Sequence, residues 1–292
     1  MRIVEEPILV PVPDSGSLCD DVERRFAADP DVVMLRRRVG DQWQAVTVAD
    51  FRAEVMAVAK GLVAGGVRPG DRVALMSATR YEWTLADYAI WYAGAVTVPI
   101  YETSSPEQVE WICQDSEAVG IFLETERHAS VFAEARPHLP LPVQEWVFEA
   151  GAMADLARDG GSVEDAVIEA RRSALTPTST ATIIYTSGTT GRPKGCILTH
   201  GNFMADVRNV VNSMPELFLT NTSSTLLFLP IAHVFGRVIQ VGCIYSGTVL
   251  GHSADIKSIL ADLESFRPTF LLAVPRVFEK VYNSAEQKAA AA

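Results

Sequence analysis

A chain of 292 residues, 48% of them hydrophobic, can fill two globular units of about 100–200 residues each. Its formal net charge of −11 excludes a sequence-independent nucleic-acid binder and disfavours electrostatic adhesion to an anionic membrane, since both need a basic surface. Cys19, Cys113, Cys196 and Cys243 lie far apart and form no CxxC or Cys/His cluster, which argues against a zinc site or disulfide framework and for small buried thiols in a reducing cytoplasm.

Residues 1–16 are acidic and proline-bearing and lack the basic-then-apolar order of a secretory signal. No run approaches the roughly eighteen apolar residues of a membrane span. After an irregular start, Thr47-Val48-Ala49-Asp50 reads as a capping box, with Val48, Phe51, Val55, Val58 and Leu62 at helical spacing until Gly65-Gly66. The turn at Arg68-Pro69-Gly70-Asp71 leads into a buried strand at 73–76. A second helix carries Trp83, Ala86, Ile90 and Trp91 and ends at Gly94, before a strand at 96–100. Ser105-Pro106-Glu107-Gln108 opens a third helix with Val109, Ile112 and Cys113, followed by a strand at 118–123. Trp83, Trp91 and Trp111 lie on apolar helical faces and read as core.

From 124 to 173 the pattern weakens to a helix at 129–136, a strand within 143–148 and acidic helical pieces broken at Gly160-Gly161. A Ser/Thr/Pro-rich stretch at 173–180 marks a boundary between a first lobe, 1–175, and a second, 176–292. The second lobe repeats the alternation, with strands at 182–185, 196–198, 226–229, 248–250 and 269–274 and helices at 202–213, 234–245 and 256–266. The expected fold is α/β: two similar lobes with largely parallel sheets flanked by helices.

The strand at 182–185 empties into Thr186-Ser187-Gly188-Thr189-Thr190-Gly191-Arg192-Pro193-Lys194-Gly195, and ligands in such sheets sit beyond the carboxyl ends of strands. Gly188, Gly191 and Gly195 free the backbone to turn its N–H groups inward by reaching positive φ. The hydroxyls of Thr186, Ser187, Thr189 and Thr190 add donors, and Lys194 adds a mobile positive charge. The combination suits phosphate. It is not a Walker loop, because Pro193, Lys194 and Gly195 stand where that pattern wants glycine, lysine and Ser or Thr.

This stretch resembles the signature of the AMP-forming adenylating enzymes, which include acyl-CoA synthetases, firefly-type luciferases and peptide-synthetase adenylation domains. Three further segments resemble the long-chain fatty acyl-CoA synthetase branch: Tyr101-Glu102-Thr103-Ser104-Ser105 with Gln108, Leu229-Pro230-Ile231-Ala232-His233-Val234-Phe235-Gly236-Arg237, and Pro275-Arg276-Val277-Phe278-Glu279-Lys280. The resemblance runs from about Thr47 to the chain end. It implies that a fatty acid and ATP form an acyl-adenylate, from which coenzyme A displaces AMP. Such catalysis consists mainly of aligning two anions and neutralising charge that moves onto pyrophosphate.

By the same resemblance, Thr186, Ser187, Gly188, Thr189, Thr190, Gly191 and Lys194 bind the nucleotide, with Thr186 nearest Mg²⁺ and Lys194 offsetting phosphate charge. His233 falls where the family has a histidine beside the acyl carboxylate, so Lys194 and His233 are the candidate catalytic residues. Some bacterial members carry a tryptophan gate four residues later, where this chain has Arg237. His200 and Asn202 resemble a helix entry with a capping role, and Arg276, Glu279 and Lys280 are candidates for the substrate side. The family continues past the end of this chain with a Tyr-Gly-x-Thr-Glu segment, a ribose-binding aspartate and a small domain bearing the late lysine, so the chain is expected to be an incomplete amino-terminal part that is inactive alone. A fatty acyl-AMP ligase, another carboxylate-adenylating enzyme, or a non-catalytic scaffold or regulatory fragment are the alternatives. The expected location is cytoplasmic, with peripheral membrane contact left open by a greasy substrate, and neither acyl length nor oligomeric state has a signature.

Overall fold

The computed structural model describes residues 8–186, 192–254 and 258–275, together with the isolated positions Glu279, Tyr282 and Glu286. In chain order its elements are α1 (Cys19–Ala28), β1 (Val33–Val39), β2 (Gln42–Thr47), α2 (Val48–Ala64), β3 (Arg72–Met76), α3 (Tyr81–Tyr92), β4 (Val96–Ile100), α4 (Pro106–Asp115), β5 (Ala118–Leu123), α5 (Glu126–Ala135), β6 (Gln144–Val147), α6 (Ala152–Asp159) and α7 (Asp165–Ser173). They continue with β7 (Thr180–Thr186), β8 (Lys194–Thr199), α8 (His200–Ser213), α9 (Pro215–Phe218), β9 (Ser224–Leu227), α10 (Val234–Ser246), β10 (Val249–His252) and α11 (Ile259–Phe266). The expected capping signals form as boxes, Thr47 with Asp50 at α2 and Ser105 with Gln108 at α4, and a third box, Thr199 with Asn202, opens α8.

The strands make a six-stranded sheet in the order β6-β5-β3-β4-β7-β8 and a four-stranded sheet in the order β2-β1-β10-β9. Pairing is parallel except at β7–β8 and β1–β2. Strands from before and after residue 175 therefore stand in both sheets, and the stretch at 173–180 is a connection into the six-stranded sheet. Alternation along a sequence reports strands and helices, but not which strand lies beside which.

α3 joins the two sheets. Eleven of its twelve residues are buried, as a helix surrounded by protein requires. Its Trp91 Nε1 donates to the Ala181 carbonyl of β7 at 2.8 Å, and its Thr84 hydroxyl lies 2.8 Å from His252 Nε2 on β10. Tyr88 packs edge-on against both Phe51 of α2 and Trp91.

Two regions differ from expectation. The start of the chain carries α1 and the β1–β2 hairpin, which turns at Gly40 with φ +57°. The arginine run Arg36-Arg37-Arg38 hides the period-2 pattern of β1, because these side chains lay their guanidinium groups over the rings of Phe266, Tyr81 and Trp43. At 269–274 no strand forms among the described residues: the amides of Thr269 and Phe270 share the Ser224 carbonyl at 2.9 and 3.3 Å.

Candidate functional site

β7 and β8 are antiparallel, and their register sets Thr186 opposite Lys194, Tyr185 opposite Gly195 and Ile184 opposite Cys196. Because β7 runs parallel to β4, the hairpin turn stands at the carboxyl end of the six-stranded sheet. Thr186 and Lys194 are both exposed at its mouth, while Ser187, Gly188, Thr189, Thr190 and Gly191 lie outside the described residues.

Two contacts with α4 hold the hairpin. The Tyr185 hydroxyl donates to Asp115 Oδ2 at 2.6 Å, and burial together with that hydrogen bond pushes the phenol above its ordinary range. Trp111 Nε1 donates to the Pro193 carbonyl at 2.8 Å, and the Arg192 guanidinium lies 4.6 Å from the Trp111 ring. Trp111 is thus a half-buried anchor for the returning leg of the loop, whereas Trp83 and Trp91 are fully buried core. Gly195 also needs correction. It is not among the positive-φ glycines; its lack of a side chain matters because a Cβ there would come within 2.7 Å of Ile183 Cγ2.

His233 is exposed and caps α10, its Nδ1 accepting from the Phe235 amide at 3.3 Å. With Nδ1 occupied as an acceptor, the neutral ring carries its proton on Nε2. The α10 helix starts tightly against the preceding turn, since a Cβ on Gly236 would lie 2.5 Å from the Pro230 carbonyl oxygen.

Arg237 is fully buried, so it does not stand as a gate at a surface. Its guanidinium donates to Thr182 of β7 and to Asp87 of α3, with the rings of Trp83 and Trp91 each 5.3 Å away and that of Phe203 at 5.7 Å. Those ring faces offset the cost of Arg237 Nε, which has no hydrogen-bond partner. Burial pushes the Asp87 carboxyl up, and the adjoining Arg237 charge opposes that shift. Gln240 Nε2 donates to Asp87 Oδ2 at 2.9 Å, its carbonyl accepts from Thr84 at 2.8 Å, and Thr84 in turn accepts from His252 Nε2. This directed seam ties the first two turns of α10 to β7, α3 and β10. Only the position of Arg237 was visible in the sequence, because the partners come from distant elements.

His200 is buried rather than capping. Its Nδ1 accepts from the Leu18 amide at 3.4 Å and its ring meets Trp91 edge-on, while Thr199 and Asn202 make the cap. Glu279 is exposed, and Arg276 and Lys280 lie outside the described residues.

An apolar groove of about 390 Å³ runs between α8, α10 and the 269–274 segment. Phe235, Val238, Ile239 and Gly242 line it from α10, and Val207, Val210 and Val211 from α8 with Met214 at its C-cap. Both sets follow the i, i+3, i+4, i+7 spacing of one helical face. A more polar cleft of about 550 Å³ lies at the carboxyl ends of β1 and β10. Of its arginines, Arg37 is paired with Glu54 at 3.0 Å, Arg80 with Glu82 at 2.7 Å and Arg38 with Asp262, while the Arg36 guanidinium lies 5.3 Å from the Phe266 ring. No group of three or more His, Cys, Asp or Glu able to hold a metal occurs among the described residues.

A mainly parallel sheet with a hydroxyl- and glycine-bearing hairpin at its carboxyl edge places this protein in the α/β class that binds ligands at strand ends. The chain belongs to the AMP-binding enzyme family, whose model matches residues 22–292. It is 45% identical over 294 aligned residues to the long-chain-fatty-acid–CoA ligase FadD15 of Mycobacterium tuberculosis, covering 99% of this chain and 49% of that relative. It is 31% identical to the peroxisomal long chain acyl-CoA synthetase 7 of Arabidopsis thaliana, covering 83% of this chain and 36% of that one. The chain thus spans about half the length, or less, of these curated relatives. Among solved structures, a long-chain-fatty-acid-CoA ligase (FadD1) from Archaeoglobus fulgidus superposes with a TM-score of 0.82 at 20% identity, covering 97% of this chain and 56% of that one. The o-succinylbenzoate CoA synthetase (MenE) of Bacillus subtilis, solved with its acyl-adenylate, gives 0.74 at 24% identity over 90% of this chain and 64% of that one. These two likenesses establish the fold.

Proposed function

We propose that the protein is an AMP-forming ligase that activates a long-chain fatty acid with ATP and passes the acyl group to coenzyme A, this chain supplying the phosphate grip and the acyl side of the site. The observation that carries the reading is the anchored hairpin, whose two described ends, Thr186 and Lys194, face each other at the carboxyl end of a parallel strand. FadD15 at 45% identity supports a long-chain acid, and so does the apolar groove on α8 and α10.

In this reading the residues from Thr186 to Gly191 grip the β- and γ-phosphates, and Lys194 offsets their charge. Magnesium would ride on the phosphates with the Thr186 hydroxyl as a protein donor, a sparse set that suits an ion retaining water and phosphate oxygens. The acid's oxygen bonds to the α-phosphorus as the bond to pyrophosphate breaks; the thiolate of coenzyme A then bonds to the carbonyl carbon and AMP leaves. His233 donates from Nε2 to an oxygen of the acid. The positive end of the α10 dipole favours the same anion, so His233 positions the acid rather than removing a proton.

The test is acid-dependent ATP–pyrophosphate exchange and coenzyme A-dependent AMP release by the full-length protein across acyl lengths. Thr186→Val is expected to lower exchange about 100-fold, the scale of one lost transition-state donor. Lys194→Ala is expected to raise the KM for ATP. The 292 residues alone are expected not to complete the exchange. Formation of ADP, or exchange that ignores added acid, would overturn the assignment.

A further inference from the structure

Gly242 lies in the interior of α10, where glycine is disfavoured relative to alanine. The other glycines inside described α-helices have a steric reason to be there. A Cβ on Gly61 would lie 2.2 Å from the Leu156 carbonyl oxygen, one on Gly201 2.8 Å from that of Pro177, and one on Gly236 2.5 Å from that of Pro230. At Gly242 nothing comes closer than Val211 Cγ2 at 3.8 Å and Val207 Cγ1 at 3.9 Å, both ordinary contact distances. Nor is its φ positive. Neither backbone conformation nor close packing accounts for the missing side chain. What its absence does is leave space in the groove between α8 and α10.

We infer that Gly242 sets how long an acyl chain this protein accepts, by keeping the inner end of the α8–α10 groove open. The inference rests on the proposed acyl site and goes beyond it by naming the residue that limits chain length. Val234 and Phe235, 38% and 37% exposed, stand at the His233 end of the groove. Gly242 lies seven positions after Phe235, about 10 Å along a helix. An acid held at His233 would run along Phe235, Val238 and Ile239 and pass Gly242, opposite Val207 and Val211, where a side chain would block the remainder of a longer acid.

The test compares wild type, Gly242→Ala, Gly242→Leu and the double variant Gly242→Ala with Val211→Ala in the full-length protein. Binding of fatty acids from octanoate to stearate is read by displacement of a fluorescent fatty acid, and melting temperature is read alongside. Gly242→Ala should melt roughly 1–3 °C higher, because helix propensity improves in a site with room for a methyl group. It should nevertheless bind the longest acids about tenfold more weakly, with the shortest unchanged. Gly242→Leu should move the cutoff to still shorter chains, and the double variant should move it back. A purely structural glycine would give lower stability and an unchanged length profile. If wild type binds no fatty acid, the acyl reading and this inference both fall. If wild type binds and folded Gly242→Ala keeps its length profile, the inference alone falls.

Discussion

Arg237 shows how much one side chain can carry without touching a ligand. Removing it leaves Asp87 fully buried without its partner, so Arg237→Met is expected to cost about 3–5 kcal/mol in urea unfolding. Replacing both partners, Arg237→Met with Asp87→Leu, should recover most of that loss, because a buried pair contributes little beyond an apolar pair of similar volume. A double variant no more stable than the single one would show that the seam through Thr182 and Gln240, rather than the charge pair, is what α10 depends on. None of this was legible at residue 237, where only an arginine in place of a family tryptophan could be noted. Gly195 teaches the same lesson more modestly: the glycine was expected for its φ, and the need is clearance from Ile183.

At the scale of elements, the hairpin proposed to grip phosphate depends on α4 for its position. Trp111→Phe keeps the ring stacked against Arg192 but removes the donor to the Pro193 carbonyl. ATP affinity in the full-length protein is expected to fall about three- to tenfold, with fatty acid binding unchanged, since one hydrogen bond contributes about 0.5–1.5 kcal/mol. Equal weakening of both ligands would count against a local role. Elements with strong internal signals were readable: α2 and α4 each begin on a side-chain cap that a few adjacent residues define. The β1–β2 hairpin was not. Its arginines look like solvent residues until Phe266, Tyr81 and Trp43 are seen beneath their guanidinium groups.

Across the whole molecule, two buried histidines link stability to acidity. Burial, with some repulsion from Arg237, lowers the His200 pKa from 6.5 to about 3, and burial lowers that of His252 to about 4. Between those values and 6.5 the unfolded chain binds protons that the folded chain refuses. Stability is therefore whole above 6.5 and is lost as pH falls toward the folded values, by about 1.4 kcal/mol per pH unit for each histidine. Denaturant unfolding from pH 6.5 to 4.5 should follow that slope. His252→Gln, which can still donate to Thr84, should flatten it by about one histidine's share; an unchanged slope would mean that His252 does not stay neutral in the fold.

The sequence by itself determined the α/β class, most of the helices and strands, and the hydroxyl- and glycine-rich turn between 186 and 195, because each is written in the period or chemistry of neighbouring residues. Only the tertiary structure decided that β7 and β8 complete the first sheet, that β9 and β10 join β1, and that Arg237 is buried between Asp87 and Thr182. Those pairings join residues up to more than 200 positions apart. They depend on which apolar faces and buried charges satisfy one another in space, and no local pattern records that.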